Sequence, residues 1–359
     1  MSKRILISLF LAFITLVAFT VCDYLLLNDI IPNRGPRATA YDLLKTACAL
    51  GLAVAIVGSV LADGATSGQR QPMPAPRLGL ASLSLPLAVG FTLLFLASPR
   101  GFYWLSLEDN VVEYLSAGFC LAGSVFFVGI FLTARHWPAG TPRRYIALTL
   151  AALGAVALFL IGMEEVSWFQ RILGFSTPES FAGNRQGEVN LHNFFTTPVH
   201  SVYRTGTWAV LMLVPFMVYF GPRSRLFDAL QDFVPTPSIV ALAAPIACFN
   251  YNTWPFMPTQ VVAFTSLMIL VLFGLRSLRE GQREAALLFG GAVLLMIVVQ
   301  PIYLLGGERY VRHWDVTEYQ EFFMALGLAA AAWNAREQVR ARAGTSAAPL
   351  VMDAARTRS

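Results

Sequence analysis

Apolar segments of about 20 residues recur along the whole chain, and this repetition constrains the fold more than any other feature. A helix of that length crosses the hydrocarbon core of a bilayer. Because lipid offers no hydrogen-bonding partner to free backbone groups, the segments are expected to be α-helices. The chain is therefore predicted to be an all-α, polytopic transmembrane helical bundle. Its ten predicted spans lie at 5–25, 42–62, 79–98, 112–133, 145–163, 205–221, 236–251, 259–275, 285–305 and 319–335.

The seventh of these segments is the least regular. It is short, contains Pro245 and ends in the polar sequence Asn250-Tyr251-Asn252. A re-entrant hairpin formed with the eighth segment is the alternative to two crossings, and it lowers the number of complete spans from ten to eight. Either arrangement leaves the sidedness of every other segment unchanged.

Composition supports a membrane protein and excludes several other classes. Of the 359 residues, 56% are hydrophobic and only 13% are charged, whereas a soluble domain carries about 25% charged residues. The sequence has no P-loop, no zinc-ribbon spacing and no basic run with interleaved aromatics, so no nucleic-acid partner is predicted. The cysteines lie in apolar segments without a C-x-x-C pair and are interpreted as packing residues.

The distribution of basic residues predicts the orientation in the membrane. With the N-terminus in the cytoplasm, 17 of the 26 Lys and Arg residues fall on the cytoplasmic side, as the positive-inside rule expects. Both termini are then cytoplasmic. A transmembrane domain is predicted at 1–340, with an interfacial segment on the outer side at 164–204. The remaining 341–359 is predicted to be a disordered cytoplasmic tail.

The densest polar stretch, 164–171, directly follows the fifth apolar run and falls on the outer side. If the helix continues through it, Glu164, Ser167 and Arg171 share one face, and Glu165 and Trp168 lie on the adjacent face. Two neighbouring carboxylates in a dry site can serve as a general acid beside a general base. The alternative is an ion-paired helix cap that holds the fifth span at the interface.

A second polar cluster covers 187–193, some twenty residues further on. A helix here brings Glu188 and His192 together at i, i+4. A carboxylate beside an imidazole orients a general base or a metal ligand. The alternative is an ordinary surface histidine.

Two basic residues on the outer side precede the tenth span. Arg309 and Arg312 are expected to hold a phosphate or sulfate group, because guanidinium groups bind such anions with two hydrogen bonds. Salt bridges to Glu308 and Asp315 are the alternative use of these two side chains.

Carboxylates also lie at the outer ends of two apolar runs. Glu318 and Glu321, three residues apart, begin the tenth span, and Glu113 lies one turn inside the fourth. Capping of the helix dipole accounts for Asp109 at the head of the fourth span. It does not account for Glu113, which is therefore a candidate for the site.

A zinc site is a further hypothesis. His192, His200 and His313, together with Asp315 or one glutamate of the 164–165 pair, provide the imidazole and carboxylate ligands that zinc prefers. No H-x-x-x-H pattern supports the set, and no other cofactor is predicted.

Three sequence elements are shared with a known group. The stretch 164–171 reads E-E-V-S-W-F-Q-R, 190–193 reads N-L-H-N, and Glu108-Asp109 with Glu113-Tyr114 forms an E-D…E-Y element upstream. These resemble the E-E-[IV]-S-W-x-Q-R and N-L-H-N motifs of uncharacterised bacterial multi-pass membrane proteins. Phe169 stands where that group often has Gly, which suggests that no close backbone approach is needed there. The resemblance implies a bacterial cytoplasmic (inner) membrane location and a shared site, but no reaction.

Three functions are compatible with the sequence. The first is an integral membrane enzyme that hydrolyses a lipid or lipid-linked glycan, or transfers a group from it, at the outer leaflet. The second is a proton-coupled transporter, since intramembrane carboxylates relay protons. The third is a non-catalytic factor in envelope biogenesis.

For the enzyme, membrane lipids are the expected partners, and the site residues come from the polar elements above. The candidate catalytic residues are Glu164, Glu165, Glu188 and His192. The candidate substrate-binding residues are Trp168, Gln170, Arg171, Asn190, Asn193, Arg309, Arg312, Glu113 and Glu321.

Overall fold

The computed structural model describes residues 3–27, 34–67, 71–74, 79–181, 183–184, 187–191, 194 and 196–356. Within these ranges all regular structure is helical and no strand occurs. The all-helical prediction is therefore confirmed for the described part of the chain. Its α-helices are α1 (Lys3–Leu27), α2 (Ala40–Ser67), α3 (Gly79–Ala97), α4 (Pro99–Leu105), α5 (Val111–Ala134), α6 (Pro142–Glu165), α7 (Gln170–Leu173), α8 (Thr196–Trp208), α9 (Val214–Phe220), α10 (Arg225–Leu230), α11 (Pro237–Leu242), α12 (Met257–Arg279), α13 (Arg283–Leu305) and α14 (Asp315–Arg356).

Seven helices in the described ranges are long and apolar enough to cross a membrane. They indicate a multi-pass membrane protein, as the repeated apolar runs predict. The number rises to eight if the bent pair Arg225–Phe233 and Pro237–Ala247 is one span. The predicted ten spans are therefore not confirmed. The seven helices are Ile5–Leu26, Ala40–Thr66, Val111–Ala134, Pro142–Glu165, Val199–Phe220, Met257–Arg279 and Arg283–Leu305.

Three predicted spans differ from the rest for separate physical reasons. The apolar part of α3, Ala81–Ala97, is shorter than a full crossing and contains Pro86. The seventh segment is broken into α11 and a 3₁₀ turn at Ala244–Ala247, where Pro245 interrupts the α-helical hydrogen bonds. The tenth belongs to α14, whose first turns are too polar to resemble a lipid-facing span.

Helix α14 nevertheless lies in the core of the bundle. It packs mainly against α5, which in turn packs against α6. Tyr319 and Phe323 are fully buried, and the Tyr319 hydroxyl donates a 2.6 Å hydrogen bond to the carbonyl of Phe102. This packing places the polar side chains of the first turns of α14 inside the protein. The α14 backbone continues to Arg356, through most of the tail that composition predicts to be disordered.

The sixth span begins earlier than the sequence predicts. Helix α8 starts at Thr196, and a π-helical turn at Ala209–Leu213 joins it to α9. The span as a whole covers Val199–Phe220. His200 and Arg204, which the sequence places in the interfacial segment, therefore belong to a membrane helix.

Candidate functional site

Charged residues gather at the two opposite ends of α6. At the end where α6 finishes, which we call the carboxylate end, Arg171 lies 3.3 Å from Asp109. At the end where α6 begins, which we call the arginine end, Arg143 and Arg342 each pair with Asp232 at 2.9 Å. The predicted outer side corresponds to the carboxylate end, and the predicted cytoplasmic side corresponds to the arginine end.

The two polar motifs meet at the carboxylate end in a group of side chains that we call the Glu188 clasp: Ser167, Arg171, Glu188 and Asn190. The Glu188 carboxylate accepts hydrogen bonds from the Ser167 hydroxyl at 2.8 Å, Arg171 at 2.7 Å and the Asn190 amide at 2.8 Å. Glu188 is only 5% exposed. The hydrogen bond to Glu188 raises the pKa of Arg171 above its ordinary value. Both oxygens of Glu188 are therefore used in holding the two motifs together.

A second set of hydrogen bonds closes the same segment. The Gln170 side-chain oxygen accepts from the backbone N–H of Val189 at 2.7 Å, and its amide nitrogen donates to Thr177 at 2.9 Å. The Thr177 hydroxyl donates to the carbonyl of Gly187. Gln170, predicted to bind substrate, is 6% exposed. Its amide group is therefore part of the framework that joins the two motifs.

The first motif does not continue α6 as a helix, contrary to the sequence prediction. Helix α6 ends at Glu165, and the next residues Ser167, Trp168 and Phe169 have φ angles of 44°, 56° and 60°. This left-handed turn redirects the chain, so Ser167 and Arg171 do not share a helical face with Glu164. Glycine adopts a positive φ without steric cost, whereas Phe169 holds that conformation with a side chain.

The two adjacent glutamates have different contacts, because consecutive residues of a helix point in different directions. The Glu164 carboxylate accepts from the Trp168 indole N–H at 2.9 Å and from the backbone N–H of Leu191 at 2.5 Å. Glu165 interacts electrostatically with Glu321 and Glu113, and also with Glu164. The two glutamates therefore have different main contacts, and their roles as acid and base stay a prediction.

Glu165 belongs to a group that we call the acid cluster: Glu113, Glu165, Glu318 and Glu321. These carboxylates come from α5, α6 and α14 and lie close enough to repel one another when ionised. Glu321 is 5% exposed. The sequence predicts Glu113, Glu165 and Glu321 as site residues, and the packing of α5 between α6 and α14 brings them together.

Helix α8 adds two basic side chains to the acid cluster. His200 Nδ1 lies 3.3 Å from Glu321 Oε1. The Arg204 guanidinium interacts electrostatically with Glu321 and Glu318. Arg204 is not among the residues predicted for the site, although its spacing of four residues from His200 puts both on one face of a helix.

A tyrosine and a cysteine lie beside the acid cluster. The Tyr203 hydroxyl is 4.0 Å from the Cys120 sulfur, and both groups interact electrostatically with Glu165. Cys120 is predicted from the sequence to be a packing residue, and its side chain is fully buried between helices. Tyr203 is a neighbour of Glu165 that the sequence analysis does not identify.

The loop before α5 connects the clasp with the acid cluster. The backbone N–H of Asp109 donates to the Glu113 carboxylate, while the Asp109 carboxylate pairs with Arg171 at 3.3 Å. Partial desolvation, followed by the negative charge of Glu188, raises the pKa of Glu108 above its ordinary value of 4.5. A change in charge in the clasp therefore affects the loop that also contacts Glu113.

Arg309 and Arg312, the predicted anion clamp, have different hydrogen-bond partners in the structure. Arg312 donates from Nε to Asp315 at 2.8 Å and from Nη2 to the carbonyl of Ser106 at 3.0 Å. Arg309 is exposed and donates to the carbonyl of Leu96 at 3.0 Å. Arg312 therefore makes the salt bridge to Asp315 that is the alternative to anion binding, whereas Arg309 contacts the end of α3.

The described members of the predicted zinc set are not gathered in one place. His200 contacts Glu321, His313 packs its ring against Tyr251 with centroids 5.6 Å apart, and Asp315 binds Arg312. No group of three or more His, Cys, Asp or Glu side chains in the described residues is arranged to hold a metal ion. The fold separates these side chains because they belong to different helices and loops.

Two predicted residues of the second motif, His192 and Asn193, lie outside the described residues. Their proposed roles as base, ligand or substrate contact stay predictions. The preceding residues 187–191 do not form a helix. The helical spacing that pairs Glu188 with His192 therefore does not apply.

The structure also contains a buried ion pair that the sequence analysis does not identify. Lys45 and Asp23 are 0% and 1% exposed and lie 2.5 Å apart between α1 and α2. The Tyr41 hydroxyl donates to Asp23 at 2.8 Å, and Lys45 donates to the carbonyl of Pro255 at 2.9 Å. Each charge has a further polar partner, as a buried pair requires.

No protein-family model, curated protein or solved structure matches this chain. The resemblance to the bacterial membrane group therefore stays a prediction based on the motifs. The candidate site depends on geometry alone: the Glu188 clasp at one end of the bundle, and the acid cluster with His200 and Arg204 beneath it.

Proposed function

We propose that this protein is an integral membrane enzyme whose acid–base centre is formed by Glu165, Glu321 and His200. Its substrate is a lipid or a lipid-linked glycan, which it cleaves by hydrolysis or group transfer. The centre opens toward the outer leaflet of a bacterial inner membrane, as the positive-inside orientation predicts.

The observation that carries this proposal is the acid cluster itself. Carboxyl groups from three helices interact electrostatically with one another, and the His200 imidazole and the Arg204 guanidinium lie beside them. Neighbouring carboxyl groups can act as an acid and a base by exchanging protons with a substrate. Such an arrangement is costly within a membrane protein, and polar groups retained at that cost usually serve a function.

The side chains divide into three roles in this mechanism. His200, oriented by its contact with Glu321, takes the proton of an attacking water or hydroxyl group. Glu165 gives a proton to the leaving group. Arg204 interacts with the carboxylates of α14 and balances their charge as the protons move.

The Glu188 clasp acts on this centre by positioning it. Glu164 and Glu188, predicted as catalytic residues, use their oxygens in hydrogen bonds that hold 164–191 together. Because Glu165 is the last residue of α6, the geometry of the turn that follows sets its place. We therefore assign Glu164, Glu188 and Arg171 as positioning residues.

The proposal is tested by the lipids of membranes that contain the protein. Wild-type protein, Glu165→Gln and a matched control, Glu337→Gln, are compared by mass spectrometry of total lipids. Glu337 lies on α14, far along the chain from the acid cluster, and pairs with Arg340 at 3.6 Å. A lipid species converted by wild type and the control, but not by Glu165→Gln, supports the enzyme. Identical lipid profiles for all three folded proteins would overturn it.

A proton-coupled transporter is the second candidate, and the position of the acids favours it. Glu113 and Glu165 belong to the membrane-crossing helices α5 and α6, where carboxylates relay protons. Proteoliposomes with a pH-sensitive dye inside distinguish the two functions. Substrate-dependent proton uptake that Glu165→Gln abolishes, without any lipid conversion, would favour the transporter. Absence of both activities would favour a non-catalytic envelope factor.

A further inference from the structure

A cavity of about 490 Å³ lies at the arginine end, between α2, α9 and α12. This volume is within the range of about 300–1,000 Å³ for sites that bind small molecules. Its walls include the apolar side chains of Leu61, Ala65, Leu272 and Leu275. The cavity is far from the acid cluster, which lies at the opposite end of the bundle.

Two arginines at the end of α12 also line the cavity. Arg276 is held firmly: it donates from Nε to Glu280 at 2.6 Å, from Nη2 to the carbonyl of Gln71 at 2.8 Å, and to the carbonyl of Tyr219. Arg279 is exposed and has no partner within the described residues. With Glu280 as the one carboxylate among the described lining residues, these residues carry a net positive charge.

The cavity lies where the exposed apolar surface of α12 gives way to charged residues. Leu275 and Leu278, in the last turns of α12, are 46% and 62% exposed. Exposed leucines of a membrane helix face lipid chains, and Arg279 one residue later marks the level of the polar surface. The apolar walls therefore lie at the depth of acyl chains, and the guanidinium groups lie at the depth of phosphates.

We propose that this cavity binds an anionic phospholipid. The phosphate lies against Arg279 and Arg276, and an acyl chain follows Leu61 and Leu272. Basic pockets between membrane helices bind anionic head groups in this way. The lipid is bound and is not a substrate. Its site is separate from the acid–base centre, so this proposal does not depend on the proposed function.

The test measures binding of phosphatidylglycerol and phosphatidylcholine to the full-length purified protein by native mass spectrometry. Wild type is expected to prefer phosphatidylglycerol. Arg279→Gln is expected to reduce that preference about fivefold, the effect of one arginine near a membrane surface. The matched control is Arg283→Gln at the start of α13, which is also exposed at the arginine end but does not line the cavity. The control is expected to keep the wild-type preference.

The apolar part of the site has its own pair of variants. Leu275→Trp fills the cavity and is expected to reduce phosphatidylglycerol binding, whereas Leu278→Trp, which is exposed and does not line it, is not. Inorganic phosphate in excess is expected to compete weakly, because it lacks the acyl chain. No lipid preference, or equal losses in Arg279→Gln and Arg283→Gln, would overturn the proposal, as would full competition by inorganic phosphate.

Discussion

Phe169 has a backbone conformation that favours glycine, although it carries a large aromatic side chain. Its φ of 60° lies in the left-handed region, which costs an ordinary L-residue roughly 1–2 kcal/mol. The hydrogen bonds of the Glu188 clasp, which begin two residues earlier at Ser167, hold the turn despite this cost. The sequence gives no direct sign of the turn, because Ser-Trp-Phe contains neither Gly nor Asn.

This strain predicts an inverted order of stability at position 169. Phe169→Gly is expected to be more stable than Phe169→Ala by about 1 kcal/mol, although Ala is the more stable residue at ordinary helical positions. Both variants lose the same aromatic ring, so the comparison isolates the backbone. Thermal unfolding of the purified proteins in one detergent measures the difference. An alanine variant as stable as the glycine variant would contradict the left-handed turn.

The raised pKa of Glu108, at the carboxylate end, predicts that the stability of the protein depends on pH. Partial desolvation and the charge on Glu188 raise its pKa, Asp109 adds to the shift, and Arg312 and Arg171 oppose it. A carboxyl group with a raised pKa in the folded state destabilises the fold as it ionises. Stability is therefore expected to fall as the pH rises above the ordinary pKa of 4.5.

Removal of this carboxylate supplies the measurement. Glu108→Gln is expected to have a higher unfolding temperature than wild type at pH 7 and nearly the same one at pH 4, below the ordinary pKa of 4.5. Glu308→Gln, another exposed glutamate at this end of the bundle, serves as the control. If both variants change the pH profile equally, the effect comes from general surface charge and not from the loop at Glu108.

At the scale of whole elements, the apolar runs predict the long helices well and the broken ones poorly. Helices α5, α6, α12 and α13 extend within a few residues of the predicted spans, because length and hydropathy alone decide them. The segment after Pro237 does not follow this rule. Its short helical pieces are buried on all sides by other helices. Irregular backbone of this kind is tolerated within a membrane where protein surrounds it, and not where lipid does.

The contact between α1 and α2 contains the buried Lys45–Asp23 pair. Lys45→Met leaves Asp23 as an uncompensated buried charge and is expected to destabilise the protein by about 3–5 kcal/mol. The double variant Asp23→Leu with Lys45→Met removes both charges and is expected to recover most of that loss. Chemical unfolding in detergent, followed by tryptophan fluorescence, measures the free energy of unfolding of the single and the double variant. A double variant no more stable than the single one would show that the pair does not hold α1 against α2 in this way.

At the scale of the whole molecule, charge divides the protein into an acidic end and a basic end. The sequence predicts this division, since the order of apolar segments and the count of basic residues are enough to assign the ends. It also predicts that Glu113, Glu165 and Glu321 belong to one site. It does not identify Arg204, because a polar residue at the edge of an apolar run is read as part of a loop until the start of α8 is known.

Which helices are neighbours is the part that sequence patterns do not determine. The acid cluster exists because α14 packs against α5 and α5 packs against α6. An apolar helix has no pattern that selects one partner over another. The contact between the Glu164 carboxylate and the backbone of Leu191 likewise depends on the left-handed turn at 167–169, and no residue type in that turn reveals it.

The central claim is that Glu165 and Glu321, from different helices, act as one acid–base unit. A double-mutant cycle on the conversion of the lipid substrate tests it most directly. Glu165→Gln and Glu321→Gln are each expected to slow conversion about 10²–10⁴-fold. The double variant is expected to be no slower than the slower single variant, since members of one catalytic unit are not additive. Wild-type rates in either single variant, or independent losses that multiply in the double variant, would contradict the account.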